Sequence, residues 1–414
     1  MLLFLIEIGL VEGVKMLNKG YIKTTPYGLG FSELFFEENL KKYFSDPELE
    51  VLSAEYSPSA SDKMAWSAKH PKQGDHPIGV QRYKISFKKN GKIQTRHVIA
   101  KSKISDKQYL QIISNAFAKC GIQTEIPISD YLSQLEFSNL NRKEITIYYM
   151  QDSFEAFRHA MPLCYGSYLD EQEDICVLIL ECLDEEWLSL DPYNTSKWDQ
   201  TAIEALIDAI ASMHAVWYKK ENAITEIKGF KNPLNTDQMQ RLMPYWNALA
   251  KAVTTSNLPF LTKEDYLFHT HLIETMPQWH IKIDAMAKTL VQNDCVPKNI
   301  ALCNQNGTKK VLVYDWEIAT IHIPQRDIVE FLSYVLPENF DSTLLGNYIE
   351  RHRVKLGETI KQPIDTTEWR LGFQYALYDY LIQRVFPQIP FEKLEARNIA
   401  KVYNNARRMM ALLN

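Results

Sequence analysis

The stretch from Leu290 to Leu332, LVQNDCVPKNIALCNQNGTKKVLVYDWEIATIHIPQRDIVEFL, constrains this chain more than any other. Two polar clusters stand in it among apolar residues, Asp294-Cys-Val-Pro-Lys-Asn299 and Asp315-Trp-Glu317. The second follows the apolar run Val311–Tyr314, and between the two lies Asn304-Gln-Asn-Gly-Thr308, a composition that favours a tight turn. The pattern predicts a loop, a strand over 300–302, a turn, a strand over 310–314 and an Asp at that strand's end. Such a hairpin gathers Asp294, Asn299 and Asp315 about one point. Two carboxylates and an amide, with no basic partner in the segment, suit Mg²⁺, which takes hard oxygen ligands and keeps several waters.

The remaining composition narrows the setting. The 414 residues allow two or three domains or lobes, and 46% hydrophobic with 23% charged residues is ordinary for a globular chain. A formal charge of −5 gives no bulk electrostatic support for a nucleic-acid partner. The six cysteines show no C-x-x-C pair and no zinc spacing, which points to reduced thiols in a cytoplasmic setting. Cys295 lies inside the polar loop and is read as a packing residue. The first residues, MLLFLIEIGLVEGV, are apolar but short, lack a basic start and are interrupted by Glu7. They predict neither a signal peptide nor a membrane span, and Met16 is an alternative start.

D-x-x-x-x-N followed by an apolar strand ending in D-W-E resembles the aminoglycoside phosphotransferase and choline kinase group of small-molecule kinases, distant relatives of protein kinases. The loop of that group usually reads H-G-D-x-x-x-x-N. Here it reads Gln292-Asn293-Asp294, so the Asp and Asn match and the His and Gly do not. Asp327, in Pro324-Gln-Arg-Asp327, matches the group's structural Asp at the opening of a helix. The resemblance implies an α+β, bilobal, protein-kinase-like fold, with an antiparallel sheet in an N-lobe over 1–183 and a mainly helical C-lobe over 184–414. It implies ATP- and Mg²⁺-dependent transfer of a phosphoryl group to the hydroxyl of a small molecule. Asp294 would accept the hydroxyl proton, and Asn299 and Asp315 would hold the metal. Glu317 would assist through a metal-bound water or simply bond the backbone. Gln292 in place of His would brace the loop less firmly. The alternatives are a non-catalytic nucleotide-binding pseudokinase, favoured by the weak glycine loop and the missing His and opposed by the retained Asp294, Asn299 and Asp315, and a kinase acting on a protein, disfavoured by the lack of A-P-E after Asp315.

Taken in order, the rest of the chain fits that frame. A helix is predicted over 31–45 with Ser32 as its N-cap, then a strand over 50–57. The stretch from Pro58 to Gly79 is rich in Ser, Lys, Pro and Gly and reads as a loop without G-x-G-x-x-G. Strands over 79–87 and 95–101 flank a turn at Lys89-Asn90-Gly91. Under the resemblance Lys101 is the nucleotide lysine and Lys103 its rival, one of the two facing the cleft. Glu144, in a helix, is the lysine's partner. A buried strand over 175–180 leads to Glu181–Leu183, whose backbone would bond the edge of adenine.

Helices are predicted over 106–119 and 201–217, the second with His214 on its apolar face as a core residue. More follow over 235–290, broken near Pro259 and Pro277, and over 325–336, 341–356, 366–386 and 391–413. The aromatics Trp369, Phe373, Tyr375, Tyr378 and Tyr380 recur at helical spacing and read as core, with a cage for a quaternary ammonium as the alternative. The expected partner is a small-molecule hydroxyl acceptor, with no nucleic acid and no membrane.

Overall fold

Local chemistry in the first half of the chain builds one antiparallel sheet. The computed structural model describes residues 22–25, 28–58, 76–305, 308–393 and 398–413. The expectations for residues 1–14, and most of that for the loop over 58–79, lie outside them. After a short hairpin of β1 (Ile22–Thr25) and β2 (Gly28–Phe31), α1 (Glu33–Phe44) begins where the Ser32 hydroxyl accepts from the Phe35 amide. The strands β3 (Glu50–Tyr56), β4 (Gly79–Lys89) and β5 (Lys92–Lys103) follow. Asn90 and Gly91 join β4 to β5 in a two-residue turn, both with positive φ (48° and 74°). Asn-Gly tolerates that conformation, which matches the twist of a hairpin. With β6 (Cys164–Asp170) and β7 (Ile175–Glu181) the sheet has the order β3-β4-β5-β7-β6.

The two faces of this sheet are covered differently. Val98 and Ala100 of β5 and Val177 and Ile179 of β7 pack with Phe35, Phe36 and Leu40 of α1. On the other face, Cys176, Leu178 and Leu180 join the large core that continues through the helical part. Three helices pack on that side: α2 (Asp106–Lys119), capped by a reciprocal Ser105–Gln108 box, α3 (Ile128–Gln134) and α4 (Leu140–Tyr149). The first two are tied to the helical part by ring contacts, Phe117 edge-on to Phe391 at 5.1 Å and Tyr131 stacked on Tyr245 at 5.6 Å.

Helix α5 (Gln200–Trp217) is capped by Asp199 and buries the face read from its sequence. Proline marks the boundaries of the next helices. Pro259 separates Met243–Thr255 from Lys263–Glu274, and Pro277 sits in the first turn of Met276–Ala285. The polar stretch around Asp294 is then framed by two antiparallel strand pairs, the second of them a hairpin. In one, β8 (Thr289–Val291) pairs with β11 (Thr320–His322); in the other, β9 (Ile300–Gln305) pairs with β10 (Thr308–Val313).

The chain closes with α6 (Gln325–Val335), α7 (Ser342–Ile360), α8 (Thr366–Tyr380) and α9 (Ile399–Leu413). The helix predicted over 366–386 is not regular throughout. Leu381–Val385 form a π-helical turn, in which the Phe386 amide donates to Leu381 O. Pro387 supplies the reason, because it has no N–H for the carbonyl of residue 383 and its ring would strike that carbonyl in an α-helix. Among the described residues, no helix is long and apolar enough to cross a membrane.

Candidate functional site

Lys101 and Lys103 stand two residues apart on one strand, so they share a face. The expectation that only one of them turns toward the cleft is corrected by this register. Both reach Glu144 of α4, which is fully buried: Lys101 Nζ lies 2.8 Å from Oε1 and Lys103 Nζ 3.0 Å from Oε2. Lys101 also contacts Asp315 Oδ1 at 2.7 Å, and Lys103 contacts Glu317 Oε2 at 2.7 Å. Glu317 therefore forms an ion pair, and not the backbone bond considered for it. The five side chains alternate in sign, Asp315–Lys101–Glu144–Lys103–Glu317.

Three carboxylates against two ammoniums leave this row one net negative charge. Burial pushes the Asp315 carboxyl up, and the ammoniums of Lys101 and Lys103 more than reverse it, to about 2. Burial raises the Glu317 carboxyl against the pull of Lys103. Oxygens of Glu144, Asp315 and Glu317 lie within 4.8 Å of one another. Both Glu144 oxygens are held by lysines. Asp315 Oδ2 and Glu317 Oε1 are thus the oxygens that no lysine occupies, a hard-donor pair of the kind Mg²⁺ accepts.

Backbone geometry aims Asp315 into the row. Its φ is 62°, a left-handed conformation that Asp tolerates better than most residues. The neighbouring Trp316 is buried, edges against Phe157 at 5.9 Å and donates Nε1–H to Val313 O. It pins the turn from which both acids project.

The loop before β9 is braced by residues that differ from the usual motif. Asp327, fully buried at the start of α6, accepts from the amides of Gln292 and Asn293 at 2.8 Å each, and from His214 Nε2 at 3.1 Å. His214 Nδ1 faces His352 Nε2 at 3.2 Å, which confirms it as a satisfied core residue. Gln292 Nε2 donates to the carbonyls of Tyr314 and Asp315, and its Oε1 accepts from the Asp294 amide at 2.7 Å. The expected weakness from replacing His does not arise, because an amide donates and accepts at once. Asn293 has φ 63° where the group has Gly, and its Nδ2 donates to Ile318 O.

Asn299 sits in a single 3₁₀ turn, Pro297–Asn299, and its Nδ2 donates to Asp294 O and to Asp294 Oδ2 at 2.7 Å. Its backbone O accepts from the Tyr314 amide, which links the loop to the strand leading into Asp315. Asp294 does have a basic partner within the segment, contrary to expectation, and a second from outside it. Arg384 Nη2 lies 2.5 Å from Oδ1, and Lys298 Nζ 3.9 Å from Oδ2. Sequence reasoning missed Arg384, 90 residues away. The irregularity announced by Pro387 was the one available signal, since π turns gather at functional positions. Arg384 Nε also reaches Glu330 Oε1 at 3.4 Å, while Glu330 Oε2 accepts from the Cys295 amide. Burial drives the Glu330 carboxyl up to about 7 despite Arg384 and Arg326. Cys295 is fully buried and its thiol is pushed well up, in keeping with a packing role.

Glu181 and Leu183 lie at the end of β7. The Glu181 amide donates to Leu163 O and its carboxylate accepts from the Leu163 amide, so the side chain holds β6. Leu183 packs with Ala301 and Leu312 of the β9–β10 hairpin, beside Trp187 and Tyr314, in a small apolar cluster. Its amide has no hydrogen-bond partner among the described residues. The aromatic residues offered as a cation cage are mostly core, with Trp369 at 3% exposure and Phe373 and Tyr380 at 1%.

No protein-family model and no curated protein sequence matches the chain. Solved structures similar to it include the GDP complex of aminoglycoside 2′-phosphotransferase-IIIa, at 15% identity and TM-score 0.42 over 92% of this chain and 98% of that one. An ethanolamine kinase from Plasmodium vivax is similar at 11% identity and TM-score 0.41, over 87% and 82% of the two chains. An aminoglycoside phosphotransferase from Alicyclobacillus acidocaldarius is similar at 11% and 0.41, over 84% and 97%. Similarity this low carries no inference about what the chain binds.

Proposed function

We propose that the protein is a phosphotransferase that moves the terminal phosphoryl group of a nucleoside triphosphate, with Mg²⁺, to the hydroxyl of a small molecule. The observation that supports this reading is the convergence of Lys101, Glu144 and Asp315, tied through the Asn299–Tyr314 backbone bond to the loop that carries Asp294. Phosphoryl transfer asks mainly for positioning and charge stabilisation, and these groups supply both. Lys101, held between two carboxylates, is placed to bond the α and β phosphates. Asp315 and Glu317 would hold Mg²⁺ with their free oxygens, Asn299 would supply a further contact, and the ion would supply charge neutralisation along the polyphosphate. The adenine edge would bond the Leu183 amide over the apolar cluster of Leu183, Ala301 and Leu312. Asp294 accepts the proton of the acceptor hydroxyl as its oxygen bonds phosphorus and the nucleoside diphosphate leaves. The six free thiols suit a reducing, cytoplasmic setting.

One contact favours the non-catalytic alternative: Arg384 occupies an oxygen of the very carboxylate that must take the proton. The experiment is nucleoside diphosphate release from ATP or GTP, with and without Mg²⁺, stimulated by a panel of hydroxylated metabolites. Mg²⁺-dependent, acceptor-stimulated turnover is expected. Nucleotide binding that no acceptor converts into turnover would leave the pseudokinase, and no nucleotide binding at all would end both readings.

A further inference from the structure

Arg384 is held by fewer bonds than its position demands. Its Nε and Nη2 are spent on Glu330 and Asp294, but Nη1 has no partner among the described residues and is not among the fully buried unpaired polar atoms. A guanidinium presents a planar fork of donors suited to carboxylate or phosphate. Here one prong touches the carboxylate proposed to face the acceptor hydroxyl, and another is open to solvent.

The neighbouring charges decide what kind of acceptor fits. Lys298 adds a second cation beside Asp294, and its side chain is half exposed. Asp294 is already matched by Arg384, and Glu330, the other acid touching the guanidinium, is buried and turned to the Cys295 amide. A cationic acceptor would set its ammonium against Arg384 and Lys298, with no unmatched carboxylate beside Asp294 among the described residues to receive it. Trp369, Phe373 and Tyr380 are too deeply buried to cage it. An acceptor bearing an anionic group finds the opposite: two cations, one with an open donor.

We infer that the acceptor is an anionic hydroxy compound, a carboxylate or phosphate ester, whose negative group is bound by the Arg384 fork beside Asp294. Resting on the phosphotransferase reading, this names its substrate class. It also answers the objection raised by the Asp294–Arg384 contact. An incoming anion competes for the guanidinium and releases Asp294 to the hydroxyl, so the base is freed only when the acceptor is present. The π turn gives Arg384 its backbone setting, and Gln388 Nε2 donates to Arg384 O to hold it.

The test uses four probes that share a hydroxyl and differ in charge: glycerol 3-phosphate, glycerate, glycerol and choline. Each is titrated calorimetrically into the full chain with a non-hydrolysable Mg²⁺–nucleotide, and each is assayed for phosphoryl transfer. One or both anions should bind, and which one does separates phosphate from carboxylate. Arg384→Gln should weaken that binding about tenfold or more, the scale of one charge-assisted hydrogen bond. Arg384→Lys, which keeps the charge but not the fork, should fall between. Nucleotide binding, read separately, should survive in both variants and shows that they are folded. Preference for glycerol or choline, or an anion affinity that Arg384→Gln leaves unchanged, overturns the inference while leaving the phosphotransferase reading intact. Faster transfer to every probe in Arg384→Gln would mark the arginine as a plain inhibitory latch and overturn it too. Loss of nucleotide binding in the unmodified protein would instead sink the parent reading.

Discussion

The lysine row and the Asp294 loop solve the same problem in opposite ways. Both hold carboxylates close to cations in a partly buried setting. In the row, two lysines of one strand bind a single helix glutamate and each takes one acid of a single turn, so period-two geometry places the charges. In the loop, Asp294 depends on Arg384 from a distorted helix turn. The first arrangement is closed on itself and leaves two carboxylate oxygens, Asp315 Oδ2 and Glu317 Oε1, for the proposed metal. The second has an open donor and is built to exchange partners. On the proposed function, the difference separates a side that would receive the polyphosphate from a side that would discriminate among acceptors.

The largest effects should come from the carboxylates on the two sides, and they should differ in kind. Asp315→Ala removes a proposed metal ligand and the partner of Lys101, so Mg²⁺–nucleotide affinity and turnover should fall together. Asp294→Asn keeps the shape but cannot take a proton, so turnover should fall about 10²–10⁴-fold with nucleotide affinity retained. Calorimetry beside a turnover assay reads both, and equal loss of nucleotide binding in the two variants would erase the distinction.

The two lysines come next. Lys101→Met should weaken nucleotide use more than Lys103→Met, because only Lys101 contacts Asp315. Lys103→Met should instead act on stability, by about 3–5 kcal/mol, since it strips one partner from the buried Glu144 and from Glu317. Denaturant melts and kinetics on both variants would show the reverse if the assignment of the two lysines is wrong.

Much of this was readable before any coordinates. The D-x-x-x-x-N loop and the D-W-E turn rest on local pattern, while Lys101 with Glu144 and Asp327 as a structural residue rest on the family resemblance. What escaped reading was pairing at long range. Nothing local ties Arg384 to Asp294, and the strand's alternation, although available, was not applied to Lys103. Gln292 was legible as a departure that can both donate and accept, but its partners were not, because they are the Asp294 amide and two carbonyls more than twenty residues on. Gln292→Ala should accordingly cost about 1–3 kcal/mol and lower turnover, whereas loss in neither melting nor rate would show that Asp327 braces the loop alone.

The smallest effect expected is a pH dependence on the Asp294 side. The Glu330 carboxyl is raised from its ordinary range to about 7, so the folded state binds its proton more tightly than the unfolded chain. Its contribution to stability is present in full below the ordinary glutamate range and is lost as pH rises toward 7. Glu330→Gln should flatten the stability profile across that window, measured by melts at fixed ionic strength. A profile unchanged by the substitution would mean that Glu330 stays ionised against Arg384.

The central claim is that the lysine row is a Mg²⁺–nucleotide site. Titration calorimetry of ATP into the unmodified protein, with and without Mg²⁺ and repeated on Asp315→Ala, tests it most directly. The account predicts binding that Mg²⁺ strengthens and that Asp315→Ala loses, with the variant still folded. Binding indifferent to Mg²⁺ and to Asp315, or no binding by the folded protein at millimolar nucleotide, would contradict it.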